Sequence, residues 1–265
     1  MIALGLLRSR RIEVNGRSVL FTHIQRSNLL RQIAVDGFRS YETELVTLVE
    51  SYPFKISKFV DGGANIGFYS ILVSLTLPDV EVVAVEPFPA NVTYMKELQR
   101  MNDLSFSLVE KALDEQSRDG LVLYYPTGRR SSALSSSASL TNSFSGTQGI
   151  FSNLPYETVT VSTTTLANVL GDEPCPALVK LDCEFNELSI LQGSASVMGR
   201  DEVDFVVEIG IGDHDKEDVF GLFRGFGYGA YLITNAGLVR EDRPLTFPWE
   251  QSNDLAKSPL YQEER

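Results

Sequence analysis

Two short acidic patterns hold the residues of this chain best suited to chemistry. Asp61 opens the turn "DGGANIG", which closes at Gly67, and Asp182 and Glu184 sit close together in "VKLDCEFNE". A glycine turn between a strand and a helix ordinarily cradles an anion, because the N–H groups of a helix N-terminus point at it. Asp61 sits where such a phosphate would lie. Coulomb repulsion disfavours a pyrophosphate there and favours a ligand carrying positive charge. The dinucleotide fingerprint G-x-G-x-x-G is also broken, since Ala64 holds its second glycine position.

These acids must be positioned by secondary structure, and the hydrophobic pattern supplies it. From Ser57 onward strands are expected over Lys58 to Asp61, Glu81 to Glu86, Ser105 to Glu110, Ala177 to Asp182 and Val203 to Ile209. Helices fill the gaps at Ile66 to Leu77, Asn91 to Met101, Glu187 to Met198 and Lys216 to Phe226. Apolar runs such as "VEVVAV" and "DFVVEI" suit strands buried on both faces of a parallel sheet. The alternation predicts a doubly wound α/β fold. Ligands of such sheets bind outside the carboxyl ends of the strands. The expected strands end in Asp61, Glu86, Glu110, Asp182 and, one residue early, Glu208. Any single acid is equally well explained by capping a turn, but a carboxylate at nearly every tip exceeds what packing needs.

Before that alternation, Ile12 to Phe21 alternates around Asn15-Gly16, a strong signal for a two-residue hairpin. Leu45, Leu48, Val49 and Tyr52 follow helical spacing until Pro53. Residues 1–52 read as an N-terminal extension, hairpin and helix, packed on a main domain over 53–242, with 243–265 as a C-terminal tail. The Ser-rich stretch from Arg129 to Gly149 is too polar for a core element and reads as a surface loop rather than a substrate lid.

Composition narrows the classes. Of 265 residues 43% are hydrophobic, enough for a sizeable core. A net charge of -12 argues against nucleic acid as partner, because phosphate binding needs basic surface. Cys175 and Cys183 lack Cys or His companions, which excludes a disulfide-built scaffold and disfavours zinc. The N-terminal "MIALGLLRSRR" is too short for a membrane span, and its arginines are on the wrong side for a signal peptide. A cytoplasmic protein is expected.

Several linked motifs resemble, in order, the FkbM family of S-adenosylmethionine-dependent methyltransferases. "VDGGANIGFYS" is similar to the family's D-x-G-A-N-x-G motif, and "AVEPFPAN" to its E-P-x-P segment. "TVSTTTLANVL" resembles the short strand and helix before the fourth core strand. "LVKLDCEFNELSILQGS" is similar to K-x-D-x-E-G-x-E-x-x-x-L-x-G, and "VVEIGIGDHD" and "FGYGAYLI" to the closing pattern. The resemblance covers roughly Tyr41 to Leu238. It departs at Phe185, where the family usually has glycine and where Phe adopts a positive φ with difficulty.

The resemblance implies a class I, Rossmann-like methyltransferase with a seven-stranded sheet. For the cofactor it implies close backbone approach at Gly62, Gly63 and Gly67, with Asp61 and Asn65 facing the methionine end. Glu86 would take the ribose hydroxyls, and the backbone around Ala112 would border the adenine. The acceptor implied is a hydroxyl of a saccharide or glycosylated small molecule. Such a hydroxyl is a poor nucleophile and needs a base; Asp182 is the first candidate, then Glu184, then His214. Asp182, Glu184 and an acid from the next strand could instead hold magnesium, a lesser alternative. Lys180 in a buried strand is expected to pair with a carboxylate. An NAD-dependent oxidoreductase and a non-catalytic adenosylmethionine-binding scaffold are the rival readings. The sequence leaves the oligomeric state open, a homo-oligomer included.

Overall fold

The computed structural model describes residues 8–52, 54–127, 134, 137–140, 155–210, 216–234, 236–240 and 257–262. The chain opens with β1 (Ser9–Val14) and β2 (Arg17–Thr22), joined by Asn15 and Gly16. Both turn residues have positive φ, 44° and 75°, as a two-residue turn between twisted strands requires. Helices α1 (Asn28–Asp36) and α2 (Thr43–Glu50) follow. The main domain then runs β3 (Lys58–Gly62), α3 (Phe68–Thr76), β4 (Glu81–Val85), α4 (Pro89–Asn102), β5 (Ser107–Val109) and β6 (Ala112–Leu113). Next come β7 (Leu121–Pro126), β8 (Tyr156–Val161), β9 (Thr163–Thr164), α5 (Leu166–Leu170) and β10 (Ala177–Leu181). The chain continues through α6 (Glu187–Gln192), α7 (Ala195–Met198), β11 (Val203–Gly210), α8 (Lys216–Gly225), β12 (Ala230–Thr234), β13 (Gly237–Arg240) and β14 (Lys257–Gln262).

The main sheet has the order β13-β12-β14-β11-β10-β3-β4-β5. Strands β5, β4, β3, β10 and β11 are mutually parallel, and β14 enters antiparallel between β11 and β12. This is the expected doubly wound α/β architecture. Among the described residues the sheet has eight strands where seven were expected, β13 extending the edge as a hairpin with β12. The stretch expected as a C-terminal tail supplies β14. Pro259 lies in that strand, and a proline demotes a segment as a strand candidate.

Successive strand residues point to opposite faces, and both faces are covered. On one side Phe59, Leu178 and Val206 pack with Ile71 and Leu72 of α3 and Met95 and Leu98 of α4. The same cluster takes in Phe21 of the hairpin, Leu30 and Ile33 of α1, and Val46 and Val49 of α2. The N-terminal extension thus shares a core with the sheet. On the other side Val60, Val179, Phe205 and Val207 pack with Leu166 of α5, Ile190 of α6, Val197 of α7 and Phe223 of α8.

The hydrophobic pattern signals no pairing between β7 and β8, which form an antiparallel pair beside the main sheet. Residues 127–155 separate them in sequence, so no short-turn residues flag the pair. The expected helix from Glu187 to Met198 is broken at Gly193. A Cβ there would lie 2.4 Å from the Cα of Glu115, so that backbone approaches too closely for any other residue.

Candidate active site

The carboxyl ends of β3, β4 and β10 open on a cleft of about 650 Å³, part of it open to solvent. Gly63, Asn65, Glu86, Ala112, Asp182 and Glu184 all line it. Six of the residues singled out from sequence are thereby brought together. Asp61, Gly62 and Gly67 are not on the lining, and His214 lies outside the described residues.

Glu86 follows β4 and is 4% exposed. Its Oε2 accepts from the backbone N–H of Asn65 at 2.8 Å. Its Oε1 accepts from the N–H of Phe88 at 2.9 Å and from Asn91 Nδ2 at 3.3 Å. Burial pushes the carboxyl up to about 7 against the pull of these donors, and Asp61 adds repulsion. A carboxylate offers about four acceptor positions, so roughly one remains, on Oε2, for a donor in the cleft.

Asp61 is 1% exposed and is not on the cleft lining. Its Oδ2 accepts from the N–H and the hydroxyl of Ser70, at 3.0 and 2.7 Å, which ties β3 to α3. Its Oδ1 stands 3.8 Å from Lys180 Nζ. Burial raises its pKa, opposed by Lys180 and Ser70. Lys180, 5% exposed, also pairs with Asp182 Oδ2 at 3.4 Å. The Tyr69 ring lies 5.2 Å from its Nζ. Burial disfavours the ammonium, but Asp182, Asp61, Glu42 and Glu208 hold its pKa above the ordinary lysine range. The expected lysine–carboxylate pair is present, with two carboxylates instead of one.

The remaining glycines answer to packing. A Cβ at Gly62 would lie 2.8 Å from Leu113 and 2.9 Å from Leu181. Gly67 caps α3 with a φ of 79°, and a Cβ there would meet Met95 Sδ at 3.1 Å. Glu110, the expected acid after β5, pairs with Lys96 at 2.6 Å, and both side chains are more than half exposed.

After β10 the chain turns sharply. Glu184 and Phe185 both hold positive φ, 50° and 74°. Phe185 therefore occupies the very conformation it adopts with difficulty. The turn is tied down on both sides: Asn186 Nδ2 donates to the Leu113 carbonyl at 2.8 Å, and Glu187 accepts from the Cys183 N–H. Cys183 faces the cleft, and burial pushes its thiol well up, so it stays protonated. Among the described residues no group of His, Cys, Asp and Glu is disposed to hold a metal ion.

Sequence reasoning missed Tyr41, Leu123, Ala138, Leu140 and Asn186, which also line the cleft. Tyr41 comes from the N-terminal extension, and Ala138 and Leu140 from the Ser-rich segment. The described part of that segment is not ordinary surface, since Leu134 and Ser139 are 4% and 2% exposed. No pattern in a serine run announces which positions will be covered.

Residues 61–228 match the family model of the methyltransferase FkbM domain. The chain belongs to that family, and this sets aside the oxidoreductase reading. No curated protein matches the chain. Among solved structures it is similar to methyltransferase FkbM from Methylobacillus flagellatus KT, at 13% identity, 91% of this chain, 56% of that chain and a TM-score of 0.49. It is also similar to precorrin-6y C5,15-methyltransferase from Geobacter metallireducens GS-15, at 13% identity, covering 84% and 88% of the two chains, with a TM-score of 0.45. The N-terminal domain of human METTL16 gives 10% identity, 97% and 88% coverage, and a TM-score of 0.45. The chain thus spans 56% of the length of the Methylobacillus protein. Among the described residues no helix is long and apolar enough to cross a membrane.

Proposed function

We propose that the cleft binds S-adenosylmethionine and that the chain methylates a hydroxyl of a saccharide or glycosylated small molecule. One observation carries this reading. Among the described residues the lining holds the carboxylates Glu86, Asp182 and Glu184, and no Lys or Arg. Such a wall repels a pyrophosphate and suits a cationic ligand with hydroxyl donors. It is equally poor for a nucleic acid acceptor.

The free Oε2 position of Glu86 fits a ribose hydroxyl, which donates where a phosphate cannot. Gly63 and Asn65 would border the methionine end, and Ala112 the adenine. When bound, S-adenosylmethionine supplies a methyl carbon already activated by a sulfonium. The chain's own part is to align the acceptor and remove its proton. Asp182 is the base in this reading, with Lys180 at 3.4 Å fixing its carboxylate. Glu184 would orient the acceptor, and His214 ranks third. The free thiols of Cys175 and Cys183 accord with a reducing, cytoplasmic setting.

The test is transfer of an isotope-labelled methyl group to a panel of glycosides, with wild type and Asp182→Asn. Wild type should label a hydroxyl, and the variant should lose about 10²–10⁴-fold in rate while still binding adenosylhomocysteine. Transfer by the variant within a few-fold of wild type overturns the role of Asp182. Cofactor binding with no labelling of any acceptor would favour the non-catalytic scaffold, for which Phe185 in place of the family's usual glycine is the one supporting feature.

A further inference from the structure

Part of the Ser-rich segment is built into the cleft. Ser139 joins the edge of β7 through an antiparallel bridge to Tyr124, with both backbone bonds at 2.9 Å. Ala138 and Leu140 on either side line the cleft and pack on Phe88, Leu123 and Val161. The Ser139 hydroxyl donates to the carbonyl oxygen of Glu184 at 2.6 Å. That carbonyl belongs to the peptide unit joining Glu184 to Phe185, the two consecutive residues with positive φ. Side chains with a Cβ persist there only where their surroundings fix them. Holding the carbonyl fixes ψ of Glu184 and φ of Phe185 at once.

We infer that Ser139 is a positioning residue: through the Glu184 carbonyl it latches the left-handed Glu184–Phe185 turn and so keeps the Glu184 carboxylate on the cleft wall. The functional half of this rests on the proposed role of Glu184 toward the acceptor. The latch itself is a matter of backbone geometry. Without the hydroxyl, the part-buried carbonyl loses a donor and the turn relaxes out of the left-handed region. Asparagine tolerates that region better than phenylalanine, so Phe185→Asn should make the turn less dependent on the latch.

Hydrogen exchange of the amides from Cys183 to Glu187 tests this, because local opening is read there without any ligand. Ser139→Ala should speed their exchange about tenfold, the effect of one hydrogen bond to a part-buried carbonyl. Adding Phe185→Asn to Ser139→Ala should bring exchange back to within about threefold of Phe185→Asn alone. A merely structural role would speed exchange across β7 and β8 as well and would show no such rescue. Ser139→Cys keeps the shape with a weaker donor and should fall between, which preserves the test if Ser139→Ala does not fold. Unchanged exchange in Ser139→Ala or Ser139→Cys, or no rescue by Phe185→Asn, overturns the latch. Failure of adenosylhomocysteine to bind wild type would overturn the cofactor reading instead and leave the exchange result standing.

Discussion

A Cβ placed on Gly63 would stand 1.9 Å from the carbonyl oxygen of Asp182. The turn after β3 and the acid after β10 are therefore in backbone contact, and the two acidic patterns of the sequence form one wall of the cleft. Gly63 also has a φ of 72°. Both facts demand glycine for the sake of the protein's own backbone, whatever the ligand.

The first prediction follows from that contact. Gly63→Ala should lower stability by more than about 3 kcal/mol, combining backbone strain with a clash against main chain that cannot swing aside. For a domain of this size the melting temperature should fall by roughly 6–12 °C. Calorimetry decides it. Melting within about 2 °C of wild type would mean that β10 yields and that the close approach is dispensable.

Lys180 holds two carboxylates, so its loss should be severe. Lys180→Met leaves Asp61 and Asp182 without their shared cation and should cost about 3–5 kcal/mol. Asp61 lies deeper, and its Oδ1 has no hydrogen-bond partner. Combining Lys180→Met with Asp61→Asn should therefore recover part of the loss. Denaturant midpoints of the single and double variants measure this, and strict additivity would show that the pair is not coupled.

Glu86 predicts a pH dependence. Its carboxyl rises from 4.5 to about 7 on folding, so between those values the folded protein binds more protons than the unfolded chain. Stability should therefore fall as pH rises through that window, by about 3 kcal/mol in all. Glu86→Gln should flatten this fall. Adenosylhomocysteine, which donates to the ionised form, should bind more tightly as pH passes about 7 in wild type and not in Glu86→Gln. A wild-type stability that rises steadily from pH 5 to pH 8 would contradict the assignment.

Much of this fold and site is legible in the sequence. Asn15-Gly16 marks the hairpin because few other pairs accept its turn, and the apolar runs around Val83 and Val206 mark strands covered on both faces. The short spacing of Asp182 and Glu184 at a strand end places both on the cleft. What was not legible depends on contacts distant in sequence. Asp61 reads as a ligand-facing acid, but Ser70 and Lys180 draw it into the core. Tyr41 and Ser139 reach the cleft through tertiary packing that no local pattern encodes. β14 is hidden by Pro259, whose missing N–H argues against a strand until the partners β11 and β12 are known.

The central claim is that the acidic cleft holds S-adenosylmethionine on Glu86. Titration calorimetry of wild type and Glu86→Ala with adenosylhomocysteine and with NAD tests it most directly. Wild type should bind adenosylhomocysteine and not NAD. A folded Glu86→Ala should bind adenosylhomocysteine about 10–100-fold more weakly, the loss of one charge-assisted hydrogen bond. Wild-type affinity in that variant, or binding of NAD in place of adenosylhomocysteine, would contradict the account.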